Sequence, residues 1–122
     1  MMKREDILGT WHSTLVMNLA TGSVQQYARQ TLIFNSDGTG VMKAKTLFGR
    51  TKNFTWEFSL GITTAYYDDT LFYIHDLGGP GAIATAMIEP TGELGVIEYP
   101  AGAQRGRLDQ YQHMAMAMVY VR

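Results

Sequence analysis

Two stretches decide the fold: Gly9-Thr10-Trp11, leading into His12-Ser13-Thr14-Leu15-Val16-Met17-Asn18, and Thr31-Leu32-Ile33-Phe34-Asn35-Ser36-Asp37-Gly38-Thr39-Gly40. In the first, a charged lead-in gives way to alternation. Trp11, Ser13, Leu15 and Met17 share one face, and His12, Thr14 and Val16 the other. A period of two marks a half-buried strand. The second stretch is a hairpin, because Asp37-Gly38 supplies the positive φ that a tight turn between strands wants.

Working outward, strand patterns recur along the chain. A single helical turn fits 4–8. A second strand is predicted over 24–34 and a return strand over 41–48, where Lys43 and Lys45 face water and Met42, Ala44, Thr46 and Phe48 face inward. Phe54, Trp56 and Phe58 alternate with Thr55, Glu57 and Ser59. A hairpin joins 62–67 to 71–75, and another joins 82–88 to 94–99 through Glu89-Pro90-Thr91-Gly92. Glycine-bearing loops cover 77–81 and 100–108, and a long strand over 110–121 closes the chain. About nine strand-like runs at spacings of roughly 8–12 residues are the rhythm of an all-β sandwich or barrel. No run makes a helix long enough to cover a sheet, so the sheet must close on itself or find a partner. The expectation is all-β: one antiparallel up-and-down β-barrel of eight to nine strands, a single domain over residues 1–122.

Composition narrows the chemistry. The 122 residues suffice for one domain. Charged residues make up 17%, below the usual quarter, which leaves apolar surface for a cavity or a partner. The net charge of −1 carries no basic block, which argues against nucleic acid as the main partner. With no cysteine, disulfides and thiolate chemistry are excluded. No apolar run reaches the ~20 residues of a membrane span, and no signal-peptide core follows the charged start. A cytoplasmic protein without a cofactor is the expectation.

Gly9-Thr10-Trp11 resembles the glycine-x-tryptophan mark on the first strand of lipocalins and fatty-acid-binding proteins. The 31–40 hairpin and Phe54-Thr55-Trp56-Glu57-Phe58 are similar to small bacterial lipocalin-like (calycin) domains. The resemblance implies that Trp11 plugs the closed end of the barrel and that Arg122 packs over it. It also marks two departures. Residues 19–23 are too few for the helical lid of fatty-acid-binding proteins. Their arginine-x-tyrosine carboxylate clamp matches only at Tyr120, since Met118 stands at the arginine position.

Candidate ligand contacts follow from the inward faces. Met114, Met116 and Met118 form one adaptable apolar row that Tyr120 continues. Their alternative role is ordinary core filling, since an eight-stranded barrel either fills with side chains or holds one small ligand. Gln26 and Gln30 share the face of Leu32 and Phe34, and a buried amide without a partner costs roughly 1–3 kcal/mol. Thr46 and Tyr66 are placed beside them, with Met42, Phe48 and Trp56 below. His12, His75 and His113 lack metal-motif spacing, and no metal site is expected. His75-Asp76, near Tyr73, suits either proton transfer or a polar strand end, and the strand end is preferred. Ala115, Ala117, Val119 and Val121, with Val16 alongside, form an outer apolar strip that suits a homodimer contact.

The leading expectation is binding of a small, mainly apolar molecule inside the barrel. Alternatives are a barrel enzyme of cyclase or isomerase type and a packed barrel serving as an interaction module. A buried His75 or Glu98 with a perturbed proton affinity would favour the enzyme, and a filled interior the interaction module.

Overall fold

A computed structural model describes residues 2–45, 49–61 and 71–122. Nine strands alternate up and down: β1 (Gly9–Asn18), β2 (Val24–Gln26), β3 (Gln30–Phe34), β4 (Thr39–Ala44), β5 (Thr51–Ser59), β6 (Leu71–His75), β7 (Ile83–Ile88), β8 (Leu94–Glu98) and β9 (Met116–Val121). Every pairing is antiparallel, and β1 pairs with β9 to close the sheet into a barrel. Eight strands form the wall, and short β2 extends the ladder alongside β1. The turn at Gly38 has φ 88°, the conformation read from Asp37-Gly38. Asp37 accepts hydrogen bonds from the Thr39 backbone at 3.0 Å and its hydroxyl at 2.6 Å, which fixes the hairpin.

One end is sealed by a 3-10 turn (Arg4–Ile7) and a cluster of large side chains. Trp11 is 1% exposed, and its indole N–H donates to the Ile7 carbonyl at 2.8 Å. Arg122 lies over the Trp11 ring at 4.1 Å and donates to the carbonyls of Leu8 and Asp6. That is the arrangement the resemblance implies at the closed end. Phe34 meets Phe54 and Trp56 edge-on, and Trp56 meets Phe72 in the same way. Trp56 also donates to the carbonyls of Asn35 and Thr39, which ties the β3–β4 hairpin to β5.

Two irregularities reset which side chains face inward. The β1–β9 register shifts between Ser13 and Leu15. One extra residue in one strand reverses every later side chain, because the period is two. Val16 therefore packs against the core, while Leu15 and Met17 are exposed on the outside. This reverses the expected faces of the upper half of β1. The strand expected over 24–34 is broken between β2 and β3. The Ser13 hydroxyl accepts the backbone N–H groups of both Arg29 and Gln30 at 3.1 Å, so the break leaves those donors satisfied.

The last strand is also shorter than expected. Residues Arg105–Met114 form 3-10 turns, and β9 begins only at Met116. Ala115 is fully buried, not on an outer strip: it joins Ile83 and Tyr99 in a second cluster, against which Leu108 and Tyr111 pack. The β8–β9 connection thus lies back against the outside of the wall. The strand expected over 62–67 and the last residues of the one over 41–48 lie outside the described residues.

Candidate functional site

Inward residues change character from one end of the barrel to the other. Near the closed end they are Trp11, Leu32, Phe34, Phe54, Trp56 and Phe72, all buried. Toward the open end, adjacent strands bring Ala84, Glu98, Met116 and Asn18 into one row. Below it lie Ala86, Val96, Met118 and Val16. Small alanines and unbranched methionines stand here where rings stand at the closed end.

Three polar groups converge on this half. Gln30 donates its amide to the Tyr120 hydroxyl, and both reach the Met118 sulfur at 3.7 Å. Tyr120 is fully buried, and burial raises its phenol well above the ordinary range. Glu98 sits two rows beyond Tyr120, opposite Met116, with the Met118–Val96 row between them. Burial raises its carboxyl above the ordinary 4.5, and the Lys52 charge offsets this only in part. Among the described residues, no side-chain hydrogen bond or ion pair reaches the Glu98 carboxyl.

The expected contact residues divide accordingly. Gln30 and Tyr120 come together inside. Met42 and Trp56 are buried, with Trp56 part of the plug at the closed end. Gln26 is exposed and pairs with Leu15 on the outer side, because the β1 irregularity turns it away from Gln30. Met114 belongs to the 3-10 segment and is 51% exposed, so it is no part of a methionine row. Met116 has inward parity but sits at the open rim, 37% exposed. Thr46, Phe48 and Tyr66 lie outside the described residues. Met118 keeps its expected place in the row beside Tyr120, and only Met114 drops out of it. The signal was present in the sequence: the polar run Asp109 to His113 has none of the alternation a strand needs.

His75 faces outward, its Nε2 3.9 Å from the Glu57 carboxylate. Asp76 has φ 71° and accepts the Gly81 N–H at 2.7 Å, so the pair forms a strand end and turn, as preferred from sequence. His12 meets the Thr31 hydroxyl at 3.2 Å. Among the described residues, no three His, Asp or Glu side chains gather as a metal site. No helix of the described residues is long and apolar enough to cross a membrane.

A second concavity lies outside the barrel. Between the outer wall of β6–β9 and residues 105–112 runs a groove of about 600 Å³. Arg105 roofs one part, its guanidinium 3.8 Å above the Tyr73 ring and paired with the Glu57 carboxylate. Part of the expected dimer strip, Ala117 and Val119, lines this groove.

Comparison of the chain with protein-family models, with curated proteins and with solved structures gave no match.

Proposed function

We propose that this protein binds a small, mainly apolar molecule in the open half of its barrel. The observation that carries the reading is the largely buried Glu98 carboxyl, which no side-chain hydrogen bond or ion pair reaches among the described residues, on the same side of the barrel as the Gln30–Tyr120 pair. Buried polar groups destabilise a core unless they gain a partner. A ligand with one hydrogen-bonding group on an apolar body suits that chamber: Met116, Met118, Ala84 and Val16 would meet the body, and Gln30, Tyr120 or Glu98 the polar group. Native mass spectrometry on protein purified from its source tests this. A co-purified small molecule that is lost in Gln30→Leu and Tyr120→Phe is the expected result. A wild-type protein that stays empty and binds no apolar ligand would favour a packed interaction module instead.

Glu98 favours a second reading, a cyclase- or isomerase-type enzyme. A carboxyl whose proton affinity is raised by burial is a candidate to give or take a proton. Glu98→Gln separates the two: a carrier keeps its ligand, whereas an enzyme keeps the ligand and loses turnover. A homodimer would use the exposed Leu15, Met17 and Val24 on the outer face, and sedimentation of wild type against Met17→Glu tests it.

A further inference from the structure

The outer groove has the features of a built site. Its floor dips at Gly95 on β8, between Met87 on β7 and Val119 on β9; in the next outward row Ile97 stands between Thr85 and Ala117. Tyr73 and Ile97 rise beside them, and Leu108 closes over from the 105–112 segment. The groove's volume falls within the ~300–1,000 Å³ usual for small-molecule sites.

Two observations point to a ligand with a positive charge. Among the described residues the groove is lined by one cation, Arg105, which is already engaged by Glu57 and by the face of Tyr73. The Glu89 and Asp109 side chains also line the groove, and among the described residues neither meets a cation. Glu89 stands over the floor itself: a Cβ placed on Gly95 would lie 3.2 Å from its Oε1. Independently, Thr85 is only 8% exposed and lines the groove, yet its hydroxyl has no hydrogen-bond partner among the described residues. A buried hydroxyl of that kind calls for a partner.

We propose that this groove binds an apolar organic cation, its body in the dip at Gly95 and its charged nitrogen at Glu89, with a polar group of the ligand meeting the Thr85 hydroxyl. The groove lies on the outer side of the wall, where Ala86, Val96 and Met118 also border it, and it is tested by variants other than those of the function proposed above.

Thioflavin T and acridine orange, both flat aromatic cations, are suitable probes on the full chain, followed by fluorescence and calorimetry. An anionic naphthalene sulfonate dye is the control. The expected result is saturable 1:1 binding of the cations and much weaker binding of the anion. Gly95→Val keeps a strand-compatible residue, and the nearest group to its new Cβ is the mobile end of Glu89. It should weaken cation binding by about tenfold or more, roughly 1.4 kcal/mol. Ala117→Leu should do the same if Gly95→Val folds poorly. Glu89→Gln should weaken binding and flatten its salt dependence. Tyr120→Phe, inside the barrel, should leave it unchanged. The proposal is overturned if neither cation binds below about 1 mM. Equal binding of the anion would also overturn it. So would floor-filling variants that fold and bind as wild type does.

Discussion

Replacing Trp11 tests the closed end most directly. The indole is almost wholly buried, donates one hydrogen bond to Ile7 and lies beneath Arg122. Removing a large buried aromatic costs ~3–5 kcal/mol, the lost burial and the cavity together. A domain of this size has a total stability of only about 5–15 kcal/mol. Urea slopes run at about 1–3 kcal/mol per molar, so Trp11→Ala should lower the urea midpoint by about 1–5 M. Trp11→Phe keeps most of the apolar area and should cost ~1–2 kcal/mol, in part for the orphaned Ile7 carbonyl. Arg122→Met keeps the stem but loses two bonds to carbonyls and the contact with the ring. Because Arg122 is exposed, its coupling to the indole in a double-mutant cycle should be only about 0.5–1 kcal/mol. Equilibrium urea unfolding followed by circular dichroism measures each variant. A loss below about 1 kcal/mol in Trp11→Ala would refute the plug, since no buried indole is that inexpensive to remove.

At Gly40, a Cβ would run into the Phe54 ring and lie 2.8 Å from the Ile33 carbonyl oxygen. Gly40→Ala should therefore lose about 2–3 kcal/mol in the same unfolding assay, although alanine is a routine strand residue. Glu98→Gln reads out burial through pH. The folded protein raises this carboxyl, so ionisation costs folded-state stability: nothing is lost well below 4.5, and the cost grows as pH rises through the folded value. Glu98→Gln should be more stable than wild type at pH 7 and indistinguishable at pH 3.5; equal stability at both would show that Glu98 is solvated. For the last strand, Met118→Glu should unfold the protein or cost several kcal/mol by burying an unpaired charge. Met114→Glu should stay within about 0.5 kcal/mol of wild type, as exposed sites do.

Local sequence determined the elements that rest on local chemistry. Positive φ at Asp37-Gly38 and alternation in Phe54-Thr55-Trp56-Glu57-Phe58 depend on neighbours in the chain, so the hairpin and the aromatic strand were legible, as was the all-β class. Trp11 beneath Arg122 was legible only through resemblance, because 111 positions separate them. What the alternation alone carried is a relative face, and one inserted residue inverts it. The irregularity between Ser13 and Leu15 therefore turned Val16 inward and Leu15 outward, and sent Gln26 to the surface while Gln30 met Tyr120. The fate of the 105–114 segment was likewise tertiary. Met114 and Met116 look alike in sequence, but the segment folds back on the wall, buries Ala115 and leaves Met114 in solvent. The outer groove exists only because that segment roofs a floor drawn from three strands. No local pattern encodes it, since Met87, Gly95 and Val119 come side by side only through the register of β7, β8 and β9.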